Sequence, residues 1–181
     1  MIAESVLQGE KVHLRAVAED DLPLIVRWYS DPDVRYWLHL SDRPEVTLES
    51  ERERLEKGRE NPANLGFLIE TSQGQPIGAL GLMSIDGTHG RAELGISIGE
   101  KEYWGRGYGA DAIRVALRHV FAEMGLRRVD LITDEDNERG IRCYEKCGFV
   151  REGLLRAHRL RHGKPIDMIV MGALRDEWGR E

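Results

Sequence analysis

The sequence is poor in cysteine and contains no long hydrophobic segment. Its two cysteines, Cys143 and Cys147, lie four positions apart in a predicted helix, where side chains are adjacent but disulfide geometry is poor, so we expect free thiols. No apolar stretch approaches the length of a membrane span, and residues 1–10 lack the basic start and apolar core of a signal peptide. The sequence therefore predicts a cytoplasmic protein with no membrane partner.

Metal-ligand patterns and a basic composition are also lacking. None of the six histidines has a metal-binding spacing to a cysteine or an acid, so no metal site is expected. The formal net charge of −6 argues against a nucleic-acid partner and is compatible with a cationic substrate. With 41% hydrophobic and 32% charged residues, the 181-residue chain is typical of one ordinary domain, residues 1–181.

The periodicity of apolar residues predicts a mixed sheet flanked by helices. Alternating segments indicate seven strands, over residues 11–15, 65–71, 77–83, 92–98, 128–133, 150–162 and 165–174. A turn at Asp86–Gly90 separates the third strand from the fourth. Helices are predicted from about residue 19 to 30, over 47–59, through 113–124 and over 138–146, with a short helical tail around Trp178.

The segment from Ala92 to Met124 predicts a strand, a glycine loop and a helix in succession. The loop, residues 104–109, has glycines at three alternate positions: Gly105, Gly107 and Gly109. A helix start presents free N–H groups and a favourable dipole to an anion, and glycine lets a ligand approach the backbone. The segment is thus a candidate phosphate site. The alternative is a plain strand-to-helix turn, and the pattern matches neither a P-loop nor a dinucleotide fingerprint.

Two motifs in order resemble the signatures of the GNAT superfamily of acyl-CoA-dependent N-acyltransferases. Residues 104–109 are similar to R/Q-x-x-G-x-G/A, except that Trp104 stands where the family has Arg or Gln. That position mainly contributes backbone. Residues 137–149 are similar to N-x-x-a-x-x-x-Y-E-K-x-G-F. The likeness spans nearly the whole chain and is nearest to the branch of ribosomal-protein alanine N-acetyltransferases and spermidine N-acetyltransferases.

The resemblance implies an α/β (α+β) fold with a mixed, mostly antiparallel central sheet of about seven strands flanked by helices. It also implies acetyl-CoA as cosubstrate. By position in the family, backbone groups of Ile96 and Ile98 would hold the pantetheine arm, and Asn137 would bond its amides. The diphosphate would lie on the loop, with Arg106 adding charge; the loop residues are Trp104, Gly105, Arg106, Gly107, Tyr108 and Gly109.

The same resemblance assigns the chemistry of acyl transfer to two residues. Tyr144 matches the tyrosine that protonates the leaving thiolate, and a phenol suits that task; the alternative is a core tyrosine on an amphipathic helix. Glu93 shares a strand face with small residues and is the candidate base, acting directly or through water. The alternative is an ordinary strand carboxylate that pairs with Arg91 or a neighbour. Direct attack in a ternary complex is expected rather than an acyl-cysteine route.

The acceptor is expected to be a small-molecule or peptide amine. Tyr36 and Trp37 lie in the region where family members bind acceptors, and aromatics beside Asp31, Asp33, Asp42 and Glu45 suit a cation. The alternative is a solvated loop with a buried tryptophan. A polyamine, a peptide N-terminus and an amine antibiotic all remain open, as does a homodimer. The competing functions are a non-catalytic acyl-CoA-binding or sensing protein and a nucleotide-binding module.

Overall fold

The computed structural model describes residues 6–179, which form a mixed sheet of eight strands with five helices of six residues or more. The strand order is β1-β2-β3-β4-β5-β6-β8-β7. The strands are β1 (Leu7–Gln8), β2 (Val12–Ala16), β3 (Leu65–Thr71), β4 (Pro76–Asp86), β5 (Arg91–Ile98), β6 (Arg128–Asp134), β7 (Val150–Arg161) and β8 (Lys164–Leu174). The helices are α1 (Leu22–Ser30), α2 (Pro32–Trp37), α3 (Leu48–Glu60), α4 (Tyr108–Arg118) and α5 (Glu138–Glu145).

The predicted fold class is confirmed, and all seven predicted strands are present. The eighth strand, β1, is two residues long and pairs antiparallel with β2, too short for alternation to reveal it. The first helix ends at Ser30 as predicted, and Asp31 then caps a further helix, α2, which begins at Pro32 and was not predicted. One local prediction was wrong, because the segment around Trp178 is a series of turns and not a helix.

The two faces of the sheet have different coverings. Register places Phe67, Leu80 and Ile96 on one face, where they join the main core with Ile113 and Leu117 of α4. The opposite face is called here the front face. At β3 it carries Leu68, which packs with the apolar side chains Leu22, Ile25 and Trp28 of α1. Farther along the front face lie Glu93, Gly95 and Ser97 of β5.

Strands β5 and β6 pair only at their starts. They are the one parallel pair among the described strands, and their ladder covers Arg91 with Arg128, Ala92 with Val129, and Glu93 with Asp130. Beyond that point β5 pairs only with β4, and β6 only with β8. A gap therefore opens inside the sheet from Leu94 onward. The candidate active site lies along this gap.

Candidate active site

A cleft of ≈ 1130 Å³ follows this gap. Its walls come from β5 and β6, from the loop before α4, from the first turns of α4, from the length of α5, and from the end of α2. Ten of the predicted site residues line it: Trp37, Glu93, Ile96, Ile98, Trp104, Gly105, Gly107, Gly109, Asn137 and Tyr144. The two signature segments, distant in sequence, therefore share one cleft.

The loop before α4 ends in an uncapped helix start. Gly107 is the residue before the first helical residue and has φ 86°, a left-handed conformation that glycine adopts without strain. No side chain caps the helix, and its first intrahelical bond runs from the Asp111 N–H to the Gly107 carbonyl, 3.0 Å. The N–H groups of Tyr108, Gly109 and Ala110 are thus left for a ligand, which suits an anion.

Trp104 does more than contribute backbone. Its indole N–H donates to the carbonyl of Ile98, at 2.7 Å, and so ties the loop to the end of β5. The Arg139 guanidinium lies over the ring, 4.1 Å from its centroid. Burial lowers the pKa of Arg139 from its ordinary value. Trp104 and Arg139 both line the cleft, and their contact joins the loop to the first turn of α5. Sequence reasoning missed this contact.

Lys11, which sequence reasoning also missed, supports the loop from behind. Its ammonium donates to the carbonyl of Arg106, at 3.0 Å, and its backbone N–H donates to the buried carboxylate of Asp111, at 2.7 Å. Arg106 itself is exposed and does not line the cleft, and Tyr108 packs edge-on against Tyr103 with centroids 5.0 Å apart. The charge attributed to Arg106 is therefore not aimed into the cleft in this conformation.

Asn137 caps α5. Its carbonyl oxygen accepts from the Gly140 N–H at 3.0 Å, and its amide donates to the Thr133 hydroxyl at 3.0 Å. A Cβ at position 140 would lie 2.4 Å from the Asn137 amide nitrogen, which explains the small residue that the signature requires there. Asn137 keeps one amide hydrogen and faces the cleft, so contact with a pantetheine amide stays a prediction.

Tyr144 and its two neighbouring thiols lie on the α5 wall. Burial raises the pKa of Tyr144, and the ring packs edge-on against Phe149 with centroids 6.0 Å apart. Cys143 lines the cleft and Cys147 is buried, and both are free. A hydrogen bond with Cys147 lowers the pKa of the Cys143 thiol and raises that of Cys147. Tyr144 is therefore the neutral, proton-bearing hydroxyl on this wall.

Glu93 and Asp130 stand side by side at the point where the two strands part. Arg128 binds Asp130 and also Glu152, whose carboxylate accepts from the guanidinium at 2.9 Å. These partners raise the pKa of Arg128 and lower that of Glu152. Glu93 makes no comparable ion pair within residues 6–179 and is exposed to the cleft. The predicted alternative, a pair with Arg91, is absent there.

The aromatic pair of α2 divides between two environments. Trp37 lines the cleft, and Tyr36 packs edge-on against it with centroids 4.7 Å apart. Tyr36 does not line the cleft. Its hydroxyl is bound by Arg161, whose guanidinium also covers the ring at 4.0 Å and bonds Asp136 at 2.7 Å. Tyr36 thus anchors α2 to the end of β7.

These residues fit an acyl-CoA. The strand edges in the gap offer unpaired backbone groups to an extended amide arm, and the uncapped start of α4 offers N–H groups to a diphosphate. A carboxylate and a protonated phenol line the same cleft. That pair can accept a proton from one reactant and donate one to the other. No helix within residues 6–179 is long and apolar enough to span a membrane.

Comparisons with known proteins agree with this geometry. A model of the acetyltransferase (GNAT) domain matches residues 11–150. The N-acetyltransferase p20 of Bacillus licheniformis is 26% identical over 174 residues, 95% of this chain and 97% of that protein. The spermidine N(1)-acetyltransferase of Escherichia coli (strain K12) is 30% identical over 148 residues, 81% and 77% of the two chains.

Solved structures give the same result. The crystal structure of spermidine N-acetyltransferase from Vibrio cholerae in complex with CoA and spermine superposes with a TM-score of 0.84 and is 27% identical. The match covers 92% of this chain and 96% of that one. The resemblance to the GNAT superfamily drawn from the two signatures is confirmed. The chain belongs to the GNAT acetyltransferase family and is an acetyl-CoA-dependent N-acetyltransferase.

Proposed function

We propose that this enzyme acetylates a primary amine by direct attack in a ternary complex, with Glu93 as base and Tyr144 as acid. Acetyl-CoA supplies the activated acetyl group. Glu93 removes a proton from the acceptor ammonium or amine, directly or through a water molecule. Tyr144, held neutral by burial, donates its proton to the departing thiolate sulfur. Residues 1–181 form one catalytic domain in this proposal.

The observation that carries the proposal is the shared cleft. Glu93 on β5 and Tyr144 on α5 both line it, and the gap between β5 and β6 runs between the elements that carry them. Ile96, Ile98 and Asn137 line the same gap and are proposed to bind the pantetheine arm, with the loop from Trp104 to Gly109 at the diphosphate. Trp37 is proposed to contact the acceptor, and Tyr36 to support it. The relatives named for spermidine support an amine as acceptor.

A two-part assay tests the proposal. Calorimetric titration of the purified protein with acetyl-CoA should show saturable binding, and release of free thiol should depend on an added primary amine. Binding of acetyl-CoA without turnover on any amine in a broad panel would overturn the catalytic assignment. Double-reciprocal plots should intersect. Parallel lines, together with an acetylated cysteine in the absence of acceptor, would overturn direct transfer.

A further inference from the structure

The part of the cleft in front of Glu93 is apolar. On the front face of the sheet, Met83 is paired with Glu93, and Ile132 lies two positions beyond Asp130. Both line the cleft although 40% and 50% of their surfaces are exposed, so they form an uncovered apolar floor. The facing wall consists of Val34, Trp37 and Leu38. Exposed apolar side chains in a concave surface mark a place where a ligand's apolar part lies.

Carboxylates are scarce in the same cleft. Within residues 6–179 its lining contains two, Glu93 and Asp130, and Asp130 is already bound to Arg128. The lining also contains five lysine or arginine side chains: Arg91, Arg128, Arg139, Arg142 and Lys146. Among the described residues that line the cleft, Glu93 is therefore the one carboxylate without a lysine or arginine ion pair. One acceptor charge can be matched there, and the described lining residues include no second free carboxylate to match another.

Three of the four acids predicted to receive a cation are engaged elsewhere, and Glu45 is exposed outside the cleft. Lys101 bridges Asp31 and Asp33, 2.8 Å from each carboxylate, and its hydrogen bond lowers the pKa of Asp31. Asp42 accepts from the backbone N–H of His162 at 2.7 Å. None of these residues lines the cleft. They fix the segment that carries Trp37 and do not meet the ligand.

The carboxylate at the end of β6 is also already paired. Asp134, at the end of β6, is 1% exposed and forms a buried ion pair with Arg161. His39 lines the cleft and contacts the same carboxylate, with its Nε2 3.0 Å from Asp134. A second ammonium group placed there would meet His39 and a carboxylate already paired.

We propose that the acceptor is a primary amine with a single positive charge and an apolar body, and not a polyamine. The inference rests on the proposed function, since it assigns the same cleft to the acceptor. The amine lies at Glu93, and the apolar body lies between Met83 and Ile132 on the floor and Trp37 on the wall. Spermidine carries three ammonium groups, two of which would find no free carboxylate. The chain would thus differ in acceptor from the relatives named for spermidine.

Thiol release at saturating acetyl-CoA tests this with four acceptors: hexylamine, 2-phenylethylamine, spermidine and a tripeptide amide that begins with leucine. We expect kcat/KM to be at least about tenfold higher for a monoamine or for the peptide than for spermidine. Comparing the two monoamines with the peptide shows whether the acceptor is a small free amine or a peptide N-terminus. Equal or faster turnover of spermidine would overturn this inference and leave the proposed function standing. No turnover with any amine would overturn both.

A charge-adding variant gives an independent readout. Ile132→Glu places a carboxylate on the apolar floor, and Ile132→Gln is its uncharged control of the same shape. Ile132 is half exposed, so both variants should fold. Relative to Ile132→Gln, Ile132→Glu should raise kcat/KM for spermidine severalfold and not for hexylamine. If Ile132→Glu and Ile132→Gln give the same kcat/KM for spermidine, the floor does not set the acceptor class and the inference is wrong.

Discussion

The Arg139 guanidinium lies 4.1 Å from the centroid of the Trp104 ring, and the same ring donates its N–H to the Ile98 carbonyl. One side chain therefore connects the end of β5, the glycine loop and the start of α5, the three elements around the predicted diphosphate site. The family usually has Arg or Gln at this position. In this chain Trp104 occupies that position, and the Arg139 guanidinium lies over its ring.

Trp104→Phe should weaken acetyl-CoA binding while leaving the chemical step nearly intact. The variant keeps an aromatic ring under Arg139 but loses the hydrogen bond to Ile98, worth about 1 kcal/mol, so we expect a roughly fivefold higher Kd and kcat within about twofold. Calorimetry and steady-state kinetics measure these. Trp178→Phe is the matched control, because Trp178 packs on Phe121 and does not line the cleft. An unchanged Kd for Trp104→Phe would show that the loop holds its shape without the indole.

Tyr144→Phe should lower kcat about 10²- to 10⁴-fold with little change in the Kd of acetyl-CoA. The ring keeps its packing against Phe149, and only the acidic hydroxyl is lost. Because burial raises the pKa of Tyr144, the wild-type enzyme should show no loss of rate from deprotonation of this group below about pH 10. A fall in wild-type kcat near pH 8 to 9 that disappears in Tyr144→Phe would contradict the raised pKa of Tyr144.

Glu93→Gln should lower kcat/KM about 10²-fold at neutral pH and alter the rising limb of the pH–rate profile, because the base is removed and the shape of the site is kept. Asp130→Asn is the matched control. Asp130 stands beside Glu93 in the register, but its charge is bound by Arg128. The control should keep the wild-type profile. Identical profiles for Glu93→Gln and wild type would leave Glu93 as an ordinary strand carboxylate.

Gly140→Ala should destabilise the protein, against the usual gain of about 0.5–1 kcal/mol for this change in a helix. The new Cβ would lie 2.4 Å from the Asn137 amide nitrogen and displace the cap, which costs about 1 kcal/mol or more. Gly58→Ala in α3 is the control, since no atom lies within 4 Å of its Cβ. Urea denaturation should give opposite signs for the two variants. A stabilised Gly140→Ala would mean that Asn137 tolerates displacement.

Asp21→Asn should remove stability that depends on pH. Burial alone would raise the pKa of Asp21, but hydrogen bonds from Arg15, at 2.7 and 2.8 Å, and from the Ala18 N–H outweigh it and lower the pKa. A lowered pKa stabilises the fold above the unfolded value of about 4 and loses that effect as pH falls through the folded value. The Tm difference between wild type and variant should be several degrees at pH 7 and shrink below about pH 4. A constant difference would contradict the linkage.

Much of the fold was predictable because the information is local. The strand, glycine loop and helix between residues 92 and 124 have regular periodicity and a glycine at the left-handed position, and the second signature begins with a helix cap. These features act within one or two turns of the chain. They fix the cleft walls and the places of Glu93, Asn137 and Tyr144 on them.

Other contacts depend on residues distant in sequence and were not predictable from one chain. Lys11 meets the loop across 95 positions, and Arg161 meets Tyr36 across 125. Tyr36 and Trp37 are adjacent, yet α2 directs only Trp37 into the cleft, because Arg161 holds Tyr36. The acids Asp31 and Asp33 belong to a cap and an ion pair with Lys101, which composition alone did not reveal.

The separation of β5 from β6 also bears on aggregation. A strand at the rim of a sheet can recruit another chain, because its free N–H and C=O groups face open solvent. Here the free groups belong to two strands in the middle of the sheet, and each strand is paired along its other side. A neighbouring molecule has no straight approach to them. The protein can keep unsatisfied backbone groups for a ligand without exposing a template for intermolecular strand pairing.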